Sequence, residues 1–174
     1  MKNLMMHRYD LLKLPEIDLP EGYVLRAYQP SDLPNLVDLM REAFEDESWG
    51  EEKLKSALIE ASDVPLTFVI ETKSEIVGTA SVRLLPERFP HSGYVHWVAV
   101  KKSQRGLRLG YVVTLATLHE FLRLGLRDAV LETQDERLPA IKTYLNLGFK
   151  PVYLDESCRS RWEKLRSQLG GEIF

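Results

Sequence analysis

The spacing of apolar residues predicts a chain in which strands and helices alternate. Residues 94–100 (YVHWVAV) carry apolar side chains at both parities, which is typical of a strand buried on both faces. Residues 111–124 are apolar almost all the way round a helical wheel, which predicts a helix inside the protein, and Gly125 is its expected stop. Shorter patterns predict further strands at 22–28, 66–71, 76–85, 128–132 and 149–154 and further helices at about 33–44, 51–61 and 139–147.

The two ends of the chain have different patterns. Residues 1–21 have no steady period and contain Pro15 and Pro20, so we expect an extended N-terminal arm that lies on the domain. Residues 155–174 form a predicted amphipathic tail. Its apolar stripe consists of Cys158, Trp162, Leu165 and Leu169. Because Cys158 lies in this stripe, we expect it to pack in the core rather than to act as a nucleophile.

The order of elements predicts the fold class. An antiparallel hairpin at 66–85 precedes a strand–helix–strand unit, 94–132, in which a right-handed parallel crossover is expected. The prediction is therefore an α/β (α+β) single domain over residues 1–174, with a mixed twisted sheet of about six to seven strands flanked by helices.

Composition narrows the class of protein. The chain has 174 residues, 44% of them hydrophobic and 28% charged, and a net charge of −3, which argues against a general nucleic-acid binder. A single cysteine excludes an intramolecular disulfide and a cysteine cluster for zinc. No apolar run approaches the ~20 residues of a membrane span, so we expect a cytoplasmic protein with no membrane partner. Because the chain has neither a cysteine cluster nor histidines at ligand spacing, we expect no metal.

The most informative loop connects strand 94–100 to the buried helix. It carries four basic residues, Lys101, Lys102, Arg105 and Arg108, and two glycines, Gly106 and Gly110. Glycines let a backbone approach a ligand, and a helix N-terminus attracts anions, so this pattern indicates a phosphate site. An ordinary strand-to-helix loop with solvated basic side chains is the alternative.

An acidic stretch, residues 45–52, allows two interpretations. The acids are either solvated helix ends, favoured by the helix dipole, or a mouth that attracts a cationic amine. Trp49 is correspondingly a wall of that mouth or a core residue.

Two motifs resemble those of the GNAT superfamily of acyltransferases. The loop resembles the coenzyme A motif Gln/Arg-x-x-Gly-x-Gly/Ala, with Arg108 where the central glycine usually stands. RLPAIKTYLNLGF resembles the second signature, Asn-x-x-Ala-x-x-x-Tyr-x-x-x-Gly-Phe, with matches at Ala140, Tyr144, Gly148 and Phe149 and with Arg137 replacing the asparagine. The residues in and around the two motifs are similar to those of the mycothiol-synthase-like branch of this superfamily.

The resemblance implies how coenzyme A is held. In the family, backbone groups of the central strand pair with pantetheine, which here assigns Val98, Ala99 and Val100. The pyrophosphate is expected on the loop, without a metal, and the loop residues are Arg105, Gly106, Leu107, Arg108, Leu109 and Gly110.

The resemblance also implies catalytic residues. Tyr144 matches a tyrosine near the thioester sulfur and is the expected general acid, since a phenol with a pKa near ~10 is protonated at neutral pH. The alternative is a core tyrosine with a satisfied hydroxyl. The base is expected at His96 or Tyr94, which strand alternation places on the same face as Val98, with Glu132 as a weaker candidate. A buried, hydrogen-bonded histidine is the alternative for His96, and His7, His91 and His119 lack ligand spacing.

The sequence thus predicts an acetyl-CoA-dependent N-acetyltransferase that moves an acetyl or short acyl group to the amine of a small molecule. A GNAT-fold binding or regulatory module and a protein acetyltransferase remain alternatives. The acceptor and the oligomeric state, a homodimer included, stay open.

Overall fold

A computed structural model of the chain describes residues 3–170, which build one mixed sheet with helices on both faces. The strands are β1 (Leu4–Arg8), β2 (Val24–Ala27), β3 (Leu66–Thr72), β4 (Glu75–Leu84), β5 (Ser92–Val100), β6 (Asp128–Thr133) and β7 (Lys150–Val152). The helices are α1 (Leu33–Phe44), α2 (Glu51–Leu54, continued by a π-helical turn Lys55–Ile59), α3 (Leu109–Arg123), α4 (Leu138–Asn146) and α5 (Glu156–Gln168).

The seven strands lie in the order β2-β3-β4-β5-β6-β1-β7. β5 and β6 are parallel, as the crossover through α3 predicts, and every other neighbouring pair is antiparallel. The predicted hairpin is confirmed as β3 and β4. The predicted mixed sheet of six to seven strands is therefore confirmed.

The N-terminal arm is in part a strand, which corrects the prediction for residues 1–21. β1 lies inside the sheet, between β6 and β7, and Leu4 and Met6 are fully buried. A strand of five residues gives little periodic signal, and its partners lie more than a hundred residues away in sequence. Residues 1 and 2 lie outside the described part of the chain.

The rest of the arm explains why α3 is apolar all round. After β1 the chain crosses the outer face of α3, where the Pro15 carbonyl lies 2.9 Å from His119 Nε2. Leu11 and Leu14 pack into the same core as Leu118 and Phe121 of that helix. The sheet covers one side of α3 and the arm covers another, so a helix with no polar face is well accommodated.

The tail helix docks on the domain as its pattern predicts. Cys158, Trp162 and Leu165 of α5 are at most 3% exposed and belong to the core beside α3 and α4. Asp155 caps the helix by accepting a hydrogen bond from the Cys158 amide at 2.8 Å. The predicted tail residues 171–174 lie outside the described part.

The sheet opens in its middle. β5 and β6 pair only over Ser92–Tyr94 and Asp128–Val130, at the start of each strand. Beyond these three residue pairs the two strands continue to Val100 and Thr133 without pairing to each other. A cleft therefore lies between the carboxyl-terminal halves of two parallel strands.

Candidate active site

A β-bulge in β5 sets which residues face the cleft. His96 pairs with Ser81 and Ala99 pairs with Thr79, so Trp97 and Val98 together stand opposite the single residue Ala80. Trp97 adopts a left-handed backbone conformation with φ 46°. Such a conformation is costly for a bulky residue and typically marks a position that the surrounding structure enforces.

The bulge overturns one sequence prediction. Strand alternation places His96 and Tyr94 on the same face as Val98, but the extra residue reverses the alternation. Val95 and Val98 instead share the face that packs on the α3 core, whereas Trp97 and Ala99 pack with α1 and α2. His96 remains on the α1–α2 side of the sheet, 5.6 Å from Trp97 between ring centroids.

The cleft contains a cavity of about 390 Å³. Its walls come from β5 (Val95, Trp97, Val98), β6 and the following loop (Leu131, Glu132, Thr133, Gln134, Arg137), α4 (Ala140, Tyr144), the α1–α2 region (Phe44, Asp46, Trp49) and Asn3. Apolar and aromatic side chains line one part of the cavity and polar or charged side chains line the rest, a mixed lining that suits a polar small molecule.

Tyr144 lies at this cavity. The residue is only 7% exposed, and its ring packs edge-on against Phe149. Its hydroxyl makes no hydrogen bond to any residue within 3–170, so it is not the satisfied core tyrosine of the alternative interpretation. Burial raises the pKa of Tyr144 to about 12, which keeps the phenol protonated and able to donate.

His96 does not line this cavity. Its imidazole is hydrogen-bonded to the backbone of Ala57 in the π-helical turn. Burial, reinforced by the positive charge of Arg83, lowers the pKa of His96 to about 4, so the imidazole is neutral at neutral pH. The structure therefore does not bring His96 and Tyr144 to one cavity, and the partner of His96 is the one expected of a buried structural histidine.

Glu132 does line the cavity with Tyr144. It lies on β6, and its carboxylate accepts hydrogen bonds from Arg88 and from the Tyr94 hydroxyl. Burial and the Glu132 carboxylate raise the pKa of Tyr94 to about 12. From the sequence, His96 ranks above Glu132 because its ordinary pKa is nearer neutrality, and the strand pattern does not show where the sheet opens.

The loop before α3 has the backbone of an anion site. Gly106 has φ 86°, and Arg108 at the N-cap has φ 59° and ψ 18°. Arg108 thus adopts the left-handed conformation that a glycine would supply at this motif position, at a modest cost in strain. The first amides of α3, beginning at Leu109, lack intrahelical partners and point out of the helix at its positive end.

Two arginines of this loop have no carboxylate partner. Lys101 pairs with Glu75 and Lys102 pairs with Glu45, but Arg105 and Arg108 form no ion pair within residues 3–170. Both side chains are exposed, and the Arg108 guanidinium lies 4.5 Å from the centre of the Tyr111 ring. The loop therefore presents unneutralised positive charge next to free helix amides, which fits a pyrophosphate.

The acidic stretch contributes two residues, Asp46 and Trp49, to the cavity wall. Glu45 ends α1 in a left-handed conformation, and the Arg41 side chain fixes the turn by donating to the Trp49 carbonyl at 2.6 Å. Trp49 is buried and packs edge-on against Trp97, so it belongs to the core as well as to the wall. Asp46 lines the cavity, and Lys53, 2.8 Å from its carboxylate, lowers the pKa of that carboxylate to about 2.

No cluster of three or more His, Cys, Asp or Glu side chains placed to hold a metal ion occurs within residues 3–170. In the same range no helix is both long and apolar enough to cross a membrane.

The sheet thus opens at the carboxyl ends of two parallel strands, next to the N-terminus of α3. Residues 33–149 match the acetyltransferase (GNAT) family, and the chain belongs to that family.

Curated relatives of the chain carry the name mycothiol acetyltransferase, in agreement with the branch that the motifs resemble. The protein from Nocardia farcinica is 29% identical over 152 residues, which is 82% of this chain and 50% of the relative. The protein from Thermobispora bispora is 31% identical over 145 residues, which is 78% of this chain and 49% of the relative. The chain thus spans about half the length of the curated relatives it matches.

Solved structures show the same fold. A GNAT-family acetyltransferase from Colwellia psychrerythraea aligns with a TM-score of 0.70 at 18% identity and covers 87% of this chain and 53% of that one. A GCN5-related N-acetyltransferase from Sphaerobacter thermophilus aligns with a TM-score of 0.67 at 18% identity, over 87% of this chain and 50% of that one.

Proposed function

We propose that this protein is an N-acetyltransferase that moves an acetyl or short acyl group from coenzyme A to the amine of a small molecule. The proposal rests on one observation, which is that two features lie at the same edge of the sheet. The loop 105–110 offers amides and unpaired arginines for a pyrophosphate, and the cavity beside β5 contains the unpaired hydroxyl of Tyr144.

The residues present fit acetyl-CoA. Arg105, Gly106, Leu107, Arg108, Leu109 and Gly110 would hold the pyrophosphate. Val98, Ala99 and Val100 lie on the part of β5 that has no strand partner on the β6 side, so their backbone groups can pair with the amides of pantetheine. The thioester supplies an activated acyl group.

Acid and base functions are assigned to two side chains of the same cavity. Tyr144 donates a proton to the departing sulfur, because burial keeps its phenol protonated. Glu132 accepts the proton of the incoming ammonium, directly or through water, because its carboxylate faces the cavity. His96, the base expected from the sequence, does not line the cavity and lies beside Tyr94, with 5.9 Å between the two ring centroids.

The first prediction tests the acid. Tyr144→Phe should lower kcat by about 10²-fold, the lower end of general-acid effects, while the Kd for acetyl-CoA changes little. The measurement is turnover of acetyl-CoA with a panel of small amines, combined with calorimetric titration of acetyl-CoA. Unchanged turnover would remove Tyr144 from the mechanism.

Two further variants separate the candidate bases. Glu132→Gln should reduce kcat strongly, and His96→Gln, which retains a hydrogen-bond donor for Ala57, should reduce it only slightly. The reverse ranking would make His96 the base. Binding of acetyl-CoA without turnover of any amine or peptide would instead favour a binding module.

A further inference from the structure

Arg137 is the only cationic side chain on the cavity wall formed by described residues. It stands at the N-cap of α4, three residues before Ala140 and seven before Tyr144, so the three residues lie along one helix face. All three line the cavity. The small Ala140 leaves space between the guanidinium and the phenol.

The Arg137 side chain crosses the mouth of the cleft and is held in place. Its guanidinium carbon lies 4.5 Å from the centre of the Phe44 ring, at the end of α1. Its Nε donates to Gln134 Oε1 at 3.1 Å. The ring and the amide orient the planar fork, which reduces the conformational entropy lost when a ligand binds to it.

The terminal nitrogens of Arg137 are available to a ligand. Within residues 3–170 no carboxylate forms an ion pair with this side chain, and its side-chain hydrogen bond goes to Gln134. The two carboxylates on the cavity wall pair elsewhere, Asp46 with Lys53 and Glu132 with Arg88. A half-buried guanidinium with unused donors favours an anionic partner, because pairing offsets its loss of hydration.

The nucleotide does not need this arginine. Its pyrophosphate is assigned to Arg105 and Arg108 on the loop before α3, pantetheine carries no charge, and the 3′-phosphate is on the ribose, which the pyrophosphate separates from pantetheine. The remaining ligand of the cavity is the acceptor. We infer that Arg137 binds a carboxylate of the acceptor, so that the substrate class is an amine that also carries a carboxylate, such as an amino acid. This inference rests on the proposed function and narrows its substrate class.

The experiment compares matched acceptors that differ in one carboxylate. The pairs are phenylalanine and phenethylamine, tryptophan and tryptamine, and β-alanine and ethylamine, each with acetyl-CoA. Wild-type protein should use the carboxylate member with the lower KM. Arg137→Met should raise that KM by about 10- to 100-fold, because charge-assisted hydrogen bonds contribute about 1.5–3 kcal/mol. The KM of Arg137→Lys for the carboxylate acceptor should lie between those of the wild type and Arg137→Met, because lysine keeps the charge but loses the bidentate geometry.

A second readout does not depend on turnover. Calorimetric titration of the preferred acid into protein saturated with coenzyme A should show binding in the wild type and weak or no binding in Arg137→Met. Arg105→Met serves as the matched control, because it should raise the KM for acetyl-CoA and leave the preference for the acid intact.

The outcomes separate this inference from the proposed function. Failure of the wild type to bind acetyl-CoA would overturn the proposed function. Binding and turnover of acetyl-CoA without a preference for carboxylate acceptors would overturn the inference alone. A rise confined to the KM for acetyl-CoA in Arg137→Met would also overturn it, by assigning Arg137 to the coenzyme.

Discussion

Burial shifts the pKa values of two titratable residues near the cleft in opposite directions, because in both cases it disfavours the charged form. It raises the pKa of Tyr144 to about 12, so this phenol remains a donor across the neutral range. It lowers the pKa of His96 to about 4, so this imidazole remains neutral and hydrogen-bonded to Ala57. The first shift suits an acid at the cavity, whereas the second makes folding sensitive to pH.

The stability of the fold should fall in acid because of His96. In the unfolded chain the imidazole binds a proton near pH 6.5, but in the folded protein it does so only near pH 4. The stability that depends on neutral His96 is therefore present above pH 6.5 and is lost as the pH falls towards 4. At 1.36 kcal/mol per pKa unit the loss is roughly 3 kcal/mol.

Urea unfolding at pH 7, 5.5 and 4 measures this effect. His96→Gln has no titrating group at this position, and its free energy of unfolding should fall less between pH 7 and pH 4 than that of the wild type. Equal pH dependence in the two proteins would contradict the assigned pKa.

Individual side chains were predictable from the sequence only where a motif named them. The second signature proposes Tyr144 as a site residue, and the loop pattern proposes Arg105 to Gly110. The contact of Arg137 with Phe44 joins residues far apart in sequence, so no local pattern reports it. The prediction that His96 and Val98 share a face was wrong, because the left-handed residue Trp97 interrupts the strand alternation. No glycine at this position indicates the bulge in the sequence.

At the level of elements, long periodic segments were predicted well and short non-local ones were not. α1, α3, α5 and the β3–β4 hairpin repeat their apolar pattern often enough to be recognised. β1 has five residues and gains its stability from β6 and β7 rather than from its own sequence. Strand pairing over such a separation is a property of the folded chain.

The buried residues of β1 should contribute more to the free energy of unfolding than the exposed arm that follows the strand. Leu4 is fully buried between β6 and β7, whereas Leu12 is 80% exposed. Leu4→Ala should lower the free energy of unfolding by about 2–5 kcal/mol, while Leu12→Ala should change it by less than about 0.5 kcal/mol. The same substitution chemistry is compared at both positions by denaturant unfolding, and equal effects would mean that β1 adds little to the sheet.

The molecule as a whole consists of two groups of strands joined by a short contact. β2 to β5 form one group and β6, β1 and β7 form the other, and three residue pairs connect them. The loop before α3 lies on the first group and α4 follows the second, so a ligand in the cleft contacts both. Ligand binding should therefore stabilise the whole fold.

Acetyl-CoA should raise the thermal midpoint of the wild type. At a concentration of 100 times Kd the gain is about 2.7 kcal/mol, or roughly 5–10 °C for a protein of this size. Gly110→Asp should abolish the rise by placing a carboxylate at the phosphate site. It should leave the unliganded protein stable, because an acid in the first turn suits the helix dipole.

Gly110→Ala is the matched control for this measurement. A Cβ at Gly110 would lie 3.6 Å from Val100 Cγ2, an ordinary contact, so alanine should retain most of the thermal rise. An unchanged rise in Gly110→Asp would place the nucleotide elsewhere on the molecule.

The bulge at Trp97 makes the length of β5 as important as its composition. Deleting Trp97 would let Val98 pair with Ala80, so Ala99 and Val100 would keep their register with β4 and the faces that they now occupy. The deletion would remove the indole that packs edge-on against Phe44 and Trp49 and lines the cavity. Alignments or designs that close this single-residue insertion would therefore produce a well-paired strand that lacks one aromatic wall of the cleft.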